Sequence, residues 1–208
     1  MAAAPQSLIT LDLEGVLAPE IWIAVAEATG IGAFARTTRD EPDYGLLMAG
    51  RLAALDRHDI TFSQMIEIVN ELEPLPGAVE FLDNLRAEVP VVILSDTFEQ
   101  LAAPLFAKLG HPLVLCHRLS IEDDRVTGST VRMEGAKRHA VEAYRSLGYT
   151  ITAAGDSFND IEMLSAADRG FLFQPSELVA ASHLEFAVVT ELDDLLAVCL
   201  HSMRLDHA

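Results

Sequence analysis

The sequence predicts an α/β protein in which a doubly wound parallel (Rossmann-like) sheet carries a small inserted helical cap. Three observations support this prediction. An almost continuously apolar run of β-forming residues, Leu8 to Leu13, is typical of a strand buried on both faces of a parallel sheet. No strand pattern follows between Glu20 and Pro74. From Gly77 onwards strand-like and helix-like segments alternate, which indicates a doubly wound core.

Three helical patterns fill the segment after the first strand. The first begins after Pro19-Glu20 and is closed by Gly30, and the third stops before Pro74. The predicted helices span residues 21–27, about 44–55 and about 63–72. We therefore expect residues 19–74 to form the cap, and residues 1–18 together with 75–208 to form the core.

The rest of the chain predicts the alternating elements of the core. Predicted strands span residues 89–94, 113–116, 150–154, 170–173 and 186–189. Predicted helices span residues 77–87, 97–109, 134–147, about 160–167 and about 192–203. Thr97 and Gln100 have the spacing of a helix-capping box. Residues 119–133 are expected to form a hairpin that turns at Asp123-Asp124.

The charge balance argues against two classes of partner. The chain has 32 acidic and 14 basic residues, a net charge of −18, so nucleic acids and anionic membranes would be repelled. No apolar run is long enough to span a membrane, and Met1 to Ser7 lack the basic and apolar regions of a signal peptide. Cys116 and Cys199 lie in apolar surroundings and are interpreted as reduced thiols. We therefore expect a cytoplasmic protein with neither nucleic acid nor membrane as a partner.

Chemically active side chains fall at strand ends or helix starts in four stretches. These are Asp12-Leu13-Glu14-Gly15, Ser95-Asp96-Thr97, Lys137 and the run from Gly155 to Asp160. Because the carboxyl ends of parallel strands meet at one edge of a sheet, three of the stretches are expected to converge there. Carboxylates suit Mg²⁺. A serine hydroxyl, helix-start amides and a lysine suit a phosphate group.

In this order and spacing, the four stretches resemble the four motifs of the haloacid dehalogenase superfamily, and the match includes the helical cap. Among its families the chain most resembles the phosphoserine phosphatases. The stretches Asp12 to Leu17, Pro19 to Trp22 and Leu94 to Phe98 are similar to bacterial enzymes that act as phosphoserine phosphatase and homoserine phosphotransferase. The resemblance implies an Mg²⁺-dependent phosphomonoesterase acting on O-phospho-L-serine, a small phosphorylated amino acid.

The resemblance also implies roles for the acidic residues. Asp12 would be the nucleophile that forms an aspartyl-phosphate, and Mg²⁺ would be held by Asp12, the backbone carbonyl of Glu14 and Asp156. Asp160 would lie in the outer coordination sphere of the metal, one helical turn from Asp156. Glu14 departs from the aspartate that most superfamily phosphatases carry. Glu14 would still serve as general acid and base. The longer side chain leaves open how much faster hydrolysis is than transfer of the phosphoryl group to another alcohol.

The remaining implied site residues bind the substrate. Ser95 and Lys137 would hold the phosphoryl oxygens, and Asn159 would bond to the phosphate or to the neighbours of Ser95. Glu20 would accept the ammonium group of the amino acid, and Arg51 would bind its carboxylate in a fork. Without the resemblance, both of these cap charges would be interpreted as ordinary solvated helix residues.

Three nearby residues are assigned structural roles. Asp96 is interpreted as shaping its turn, His117 as a strand-end residue rather than a metal ligand, and Trp22 as cap packing near the mouth of the site.

Two alternatives to the phosphoserine phosphatase remain at this point. One is a phosphatase of the same superfamily for another small phosphate ester. The other is a non-enzymatic receiver-type module, in which a phosphorylated aspartate switches a binding surface. The helical insertion and Glu14 favour the enzyme. The sequence also leaves open an amino-alcohol acceptor such as homoserine and a homodimer.

Overall fold

One sheet of seven strands forms the centre of the protein. This computed structural model describes residues 6–37, 40–41 and 43–206. Within them the strands are β1 (Gln6–Leu11), β2 (Val91–Phe98), β3 (Val114–Glu122), β4 (Arg125–Thr130), β5 (Tyr149–Gly155), β6 (Arg169–Phe173) and β7 (Ala187–Val189). Their order is β4-β3-β2-β1-β5-β6-β7, and every neighbouring pair except β3 and β4 is parallel. The predicted doubly wound fold is confirmed, with one antiparallel edge strand supplied by the hairpin.

Helices cover both faces of this sheet. Within the described residues they are α1 (Ile21–Thr29), α2 (Tyr44–Arg57), α3 (Phe62–Asn70), α4 (Ala78–Glu88), α5 (Glu99–Lys108), α6 (Ala136–Ser146), α7 (Ile161–Ala166), α8 (Glu177–Ser182) and α9 (Leu192–Asp206). Buried side chains of α4, α5 and α9 share a core cluster with Ile9 and Leu11, whereas those of α6, α7 and α8 share another with Leu8. Both faces of β1 are therefore covered, which explains why its sequence is apolar without alternation.

The direction in which the sheet grows reverses at β1. Leu11 pairs with Ile93 of β2 on one side and with Ala154 of β5 on the other. Strands β2 to β4 are added on one side of β1, and strands β5 to β7 are added on the other. The loops that follow β1 and β5 therefore lead away in opposite directions at the carboxyl edge of the sheet. Such a switch point opens a crevice in which open α/β sheets bind ligands. Asp12 and Asp156 directly follow these two strands, so the topology brings both carboxylates to the crevice.

Helices α1, α2 and α3 follow β1 and precede α4, as expected for a small inserted helical cap. The N–H of Leu75 donates a hydrogen bond of 2.9 Å to the carbonyl of Leu17. The segment that leaves the core and the segment that returns to it are therefore bonded to each other. The division into a cap at residues 19–74 and a core at 1–18 and 75–208 stays a prediction.

The tip of the β3–β4 hairpin is bonded to the cap. The carbonyl of Asp124 accepts the N–H of Phe62 at 2.8 Å, and its carboxylate accepts the N–H and the hydroxyl of Ser63, each at 2.8 Å. At the other end of α3, Lys108 of α5 donates to the carbonyl of Leu72 at 2.6 Å. The predicted turn at Asp123-Asp124 is confirmed, and it also satisfies free amides at the start of α3.

The predicted capping box at Thr97 is wrong. Strand β2 continues to Phe98, so that α5 begins at Glu99. The side chain of Gln100 donates to the Leu119 carbonyl at 2.8 Å and accepts the Leu119 N–H at 3.0 Å. A contact between distant segments has therefore replaced the local one, and the helix start lies further from Ser95 than expected.

Helix α8 is absent from the predicted elements. Of the segment Met1 to Ser7, for which no signal peptide is expected, residues 1–5 lie outside the described part of the chain. Among the helices described, each is too short or too polar to cross a membrane.

Candidate active site

Asp12 and Lys137 form the buried centre of the site. Asp12 is 4% exposed, and its N–H donates to the Ala154 carbonyl at 3.0 Å, which ties it to β5. Its Oδ1 accepts the N–H of Leu13 at 2.7 Å and lies 3.0 Å from Nζ of Lys137. Burial and the negative charge of Asp160 raise the pKa of Asp12 well above its ordinary value, although Lys137 opposes them. The fold thus holds the Asp12 carboxyl group beside the ammonium group of Lys137, in surroundings that disfavour its charged form.

Lys137 lies in the first turn of α6 and reaches three carboxylates. Its Nζ donates to Oδ1 of Asp160 at 2.7 Å and lies 3.8 Å from Oδ2 of Asp96, in addition to its contact with Asp12. Burial alone would lower the pKa of this lysine, but the three carboxylates outweigh it and raise the pKa well above the usual value. The ammonium group is therefore charged and fixed, ready to attract an anionic phosphoryl group.

Both carboxylate oxygens of Asp160 accept hydrogen bonds from other groups of the protein. Asp160 is fully buried, and while Oδ1 accepts from Lys137, Oδ2 accepts the N–H groups of Asp156 and Ser157 at 3.0 and 3.1 Å. A Cβ on Gly155 would come within 2.4 Å of Asp160 Cγ, so glycine is needed for this approach. Asp160 thus positions both Lys137 and the backbone of Asp156, in keeping with an outer-sphere role.

Asp156 lies against the backbone of Gly15. A Cβ on Gly15 would come within 2.4 Å of Asp156 Cγ, and Gly15 has a φ of +80°, which side chains rarely adopt. Burial raises the pKa of Asp156 to about 7, with Asp160 and Glu20 adding to the effect. The absence of a side chain at Gly15 therefore makes room for the second carboxylate of the site.

These residues fit a hard divalent cation. Carboxylate oxygens of Asp12, Asp156 and Asp160 all lie within 4.8 Å of one another. Burial and mutual repulsion push Asp12 and Asp156 toward the protonated form. A cation would relieve this repulsion, and a donor set made only of oxygens suits Mg²⁺.

Glu14 connects the centre of the site to the cap. Its Oε1 accepts the N–H of Ile21 at 2.8 Å, and this amide belongs to the first residue of α1. Burial raises the pKa of Glu14 to about 7, and the charge of Glu20 adds to the shift. A carboxyl group with a pKa near neutrality can both donate and accept a proton at physiological pH.

A cavity of about 300 Å³ lies between the cap and the core, above these carboxylates. Glu20 and Arg51 line it from the cap, and Glu14 and Asp156 from the core. Arg51 is only 7% exposed and sits over the ring of Trp22, 4.6 Å from its centroid. The structure therefore brings the two predicted recognition residues to the same cavity as Glu14 and Asp156. Asp12 lies behind this lining, with a carboxylate oxygen within 4.8 Å of one of Asp156.

Arg51 is held more firmly than a solvated helix residue. Its Nη2 donates to the Arg36 carbonyl at 2.8 Å, while its buried Nε has no hydrogen-bond partner among the described residues. A buried guanidinium N–H without a partner is costly. Trp22 packs against Phe34 with ring centroids 5.7 Å apart, which confirms its role in cap packing.

Ser95 and Asn159 approach the centre from β2 and from the loop after β5. Ser95 is buried, and its Oγ accepts the N–H of Thr97 at 3.2 Å. Asn159 lines the cavity, and its Nδ2 donates to Oδ2 of Asp96 at 3.0 Å. The expectation that Asn159 would meet either the phosphate or a neighbour of Ser95 agrees with this contact.

Asp96 and His117 are the residues whose involvement the sequence analysis missed. His117 is 3% exposed, and its Nε2 lies 3.5 Å from Oδ1 of Asp96. The predicted turn at Asp96 and the predicted strand end at His117 are both wrong, because Asp96 lies inside β2 and His117 is the fourth residue of β3. The signal was the polar side chains themselves, each of which comes soon after an apolar run of its strand.

Most of the chain matches the model of a known protein family. The model of the haloacid dehalogenase-like hydrolase family matches residues 10–165, a region that contains all four stretches from Asp12 to Asp160. The chain belongs to this family of hydrolases. The superfamily resemblance is therefore confirmed, and the receiver-type module is set aside in favour of an enzyme.

This hydrolase is also similar to individual phosphoserine phosphatases. It is 52% identical over 186 residues to phosphoserine phosphatase ThrH of Pseudomonas aeruginosa, covering 89% of this chain and 91% of the relative. It is 50% identical over 186 residues to a phosphoserine phosphatase of Pseudomonas syringae pv. tomato, covering 89% of this chain and 78% of the relative. The closer resemblance to phosphoserine phosphatases is confirmed.

Solved structures show the same fold for this hydrolase. A substrate-bound phosphoserine phosphatase complex matches with a TM-score of 0.78 and 20% identity, covering 93% of this chain and 98% of the other. A phospho-aspartyl intermediate analogue of phosphoserine phosphatase matches with a TM-score of 0.77 and 19% identity, covering 93% and 99%.

Proposed function

We propose that this hydrolase is an Mg²⁺-dependent phosphatase that hydrolyses O-phospho-L-serine through an aspartyl-phosphate on Asp12. One observation supports this most strongly. The buried Asp12–Lys137 pair lies beside Asp156, which lines a cavity that Glu20 and Arg51 line from the cap. The site therefore offers a nucleophile and a cation for the phosphoryl group, together with opposite charges for an amino acid. The names of the two Pseudomonas relatives agree with this substrate.

In the first step, a carboxylate oxygen of Asp12 attacks phosphorus in line, and the bond from phosphorus to the serine oxygen breaks. Oδ1 of Asp12 already accepts from Leu13 and contacts Lys137. We therefore assign the attack to Oδ2. Lys137, Ser95 and Asn159 would hold the other phosphoryl oxygens.

Glu14 would protonate the departing serine oxygen and then, once ionised, take a proton from the water that attacks the aspartyl-phosphate. This second attack releases inorganic phosphate and restores Asp12. Oε1 of Glu14 is occupied by the Ile21 N–H, so Oε2 is the oxygen we assign to carry the proton. The pKa of about 7 suits a group that must work in both directions.

Asp12, Asp156 and the backbone carbonyl of Glu14 would hold Mg²⁺, with Asp160 behind them. The bound ion would offset the repulsion between the carboxylate nucleophile and the anionic phosphate.

A cytoplasmic location and a homodimer also stay proposals. Two free cysteines, Cys116 and Cys199, are in keeping with a reducing compartment.

A substrate screen tests the proposed function. Phosphorylated amino acids, sugars and nucleotides, together with p-nitrophenyl phosphate, would each be assayed for kcat/KM with Mg²⁺ and again with a chelator. We expect phosphoserine to give the highest kcat/KM and the chelator to remove activity on all substrates. A higher kcat/KM for another ester would favour the alternative phosphatase, and activity that survives chelation would contradict the Mg²⁺ requirement.

Replacing the two cap charges is expected to impair phosphoserine selectively. Arg51→Met keeps most of the side-chain volume over Trp22, and Glu20→Gln keeps the shape of the acid. We expect each change to lower kcat/KM on phosphoserine by about 10- to 100-fold, the scale of a hydrogen bond to a charged group. p-Nitrophenyl phosphate has neither amine nor carboxylate, so it should be affected by less than about threefold. Equal losses on both substrates would mean that the pair is structural.

Transfer to an alcohol other than water is the second activity we propose. Nothing in the proposed cycle requires water, because Glu14 can deprotonate any hydroxyl placed near the aspartyl-phosphate. Glu20 and Arg51 would bind an amino acid whether or not it carries phosphate. We therefore expect the enzyme to form O-phosphohomoserine when phosphoserine and L-homoserine are both present. The product would be measured by phosphorus-31 NMR.

Variants of Glu14 separate transfer from hydrolysis. Glu14→Gln should depress both products, because both need the same base, whereas Glu14→Asp should retain hydrolysis and change the ratio of transfer to hydrolysis. If no phosphohomoserine forms at high homoserine, the protein is a plain hydrolase. Full activity in the glutamine variant would require another acid–base group.

A further inference from the structure

Asp96 lies between the cap, the core and the proposed phosphate-binding groups. Its Oδ2 accepts from Nδ2 of Asn159 at 3.0 Å and lies 3.8 Å from Nζ of Lys137. Oδ1 of Asn159 in turn lies within hydrogen-bonding distance of the Ser157 hydroxyl. The Asn159 amide is therefore oriented from both ends, and the second N–H on its nitrogen is left for a ligand in the cavity that Asn159 lines.

His117 holds the Asp96 carboxylate from the core. Its Nδ1 accepts the backbone N–H of Arg132 at 3.3 Å, so the ring proton of the neutral histidine is on Nε2, which lies 3.5 Å from Oδ1 of Asp96. The imidazole is buried between the rings of Tyr44 and Phe98, with centroids 6.1 and 6.2 Å away. Packing and hydrogen bonding thus leave the imidazole one orientation, with its N–H toward Asp96.

Tyr44 holds the same residue from the cap. Tyr44 is the first residue of α2, and its hydroxyl donates to the backbone carbonyl of Asp96 at 2.9 Å. The N–H of the same peptide unit, from Thr97, donates to Oγ of Ser95 at 3.2 Å. Because Ser95 Oγ accepts this hydrogen bond, its own proton is free to point toward a phosphoryl oxygen. The position of a cap helix is therefore linked through one peptide unit to the orientation of Ser95.

We propose that Asp96 is a positioning residue for phosphoryl transfer. Held by His117 and Tyr44, it orients Asn159 and Lys137 toward the phosphoryl group. The inference rests on the proposed function in requiring that the chain hydrolyse a phosphate ester, but not in requiring that the ester be phosphoserine. Lys137 keeps its contacts to Asp12 and Asp160 when Asp96 changes. The expected defect is therefore misalignment of the site rather than loss of the cation.

The test measures kcat and KM on phosphoserine and on p-nitrophenyl phosphate, with Mg²⁺, for the wild type and four variants. Asp96→Asn removes the charge and keeps the shape. Tyr44→Phe removes one hydroxyl. His117→Phe keeps a ring in the aromatic cluster but removes the donor. His117→Gln loses the ring but places an amide nitrogen near the position of Nε2.

We expect Asp96→Asn to lower kcat by about 10- to 100-fold on both esters, with KM changed by less than about threefold, because misalignment acts on the transition state. Tyr44→Phe should lower kcat by about three- to tenfold, the scale of one hydrogen bond. The two histidine variants discriminate between roles. A positioning role makes His117→Gln the more active variant, whereas a packing role makes His117→Phe at least as active as His117→Gln.

Three results would overturn the inference while leaving the proposed function standing. In the first, the wild type is active and Asp96→Asn has the same kcat. In the second, His117→Phe is at least as active as His117→Gln. In the third, Tyr44→Phe is folded and has the wild-type kcat. If His117→Phe does not fold by circular dichroism, the Asp96 and Tyr44 variants decide the question. A wild type that hydrolyses neither ester overturns the proposed function and this inference together.

Discussion

Asp12→Asn is expected to lower kcat by about 10⁴-fold or more, because an amide cannot form the acyl phosphate on which the proposed reaction depends. The fold should survive the change. Asparagine has the same size, its Oδ1 can still accept the Leu13 N–H, and Lys137 keeps Asp160 at 2.7 Å as a partner. The measurement is steady-state kcat with phosphoserine and Mg²⁺, together with thermal unfolding of both proteins.

A matched control separates the nucleophile from a general effect of removing a charge. Asp83 lies on α4 with its side chain 61% exposed, where it pairs with Arg86 at the surface. Asp83→Asn removes the same charge and should leave kcat within about twofold, since exposed ion pairs contribute little. Comparable activity in Asp12→Asn and Asp83→Asn would contradict the covalent mechanism. Loss of activity accompanied by unfolding at the assay temperature would instead contradict the expectation that the fold survives the change.

The part of the site that could be predicted from sequence is the part that strand ends supply. Asp12 and Asp156 follow parallel strands, so placing the strands was enough to place the carboxylates at one edge. Lys137 and Asn159 could be assigned because their stretches match a family motif. In these cases the function of the residue follows from its position along the chain relative to a regular element.

The Asp96–His117 contact could not be predicted in this way. It depends on the pairing of Phe98 with His117 across β2 and β3, where the register shifts after Leu94. A change of register by one residue would turn His117 to the other face of the sheet. The periodicity of a sequence predicts where a strand lies but not its register with the next strand. A side-chain contact between two strands therefore cannot be predicted from periodicity.

The failed capping box has a related cause. Thr97 and Gln100 have the required spacing, but Gln100 makes two hydrogen bonds to Leu119 instead. A local pattern predicts what neighbouring residues can do. It does not reveal a distant partner that competes for the same side chain. Helix α8 was missed for a different reason. Its six residues are too few to establish a helical period, and unlike the equally short α7 it does not follow a motif that marks a helix start.

Gly15→Ala is expected to cost far more activity than stability. A Cβ at this position would lie 2.4 Å from Asp156 Cγ and 2.6 Å from its Oδ2. Asp156 would therefore have to move by about 1 Å to reach an ordinary contact distance, and a displacement of that size can cost about 100-fold in rate. We expect kcat/KM to fall by about that factor and the Mg²⁺ concentration for half-maximal activity to rise.

Gly30→Ala is the control that isolates this contact. Gly15 has a φ of +80° and Gly30 a φ of +70°, but no heavy atom lies within 4 Å of a Cβ built on Gly30. Both variants should lose about 1 kcal/mol from the left-handed backbone, which corresponds to a fall in Tm of about 2–4 °C for a chain of this size. Only Gly15→Ala should also lose kcat/KM, because only its methyl group meets a carboxylate of the site. Equal losses of kcat/KM in the two variants would mean that backbone strain, rather than the displacement of Asp156, accounts for the defect. A Gly15→Ala protein with wild-type kcat/KM would mean that the reaction does not depend on where Asp156 lies.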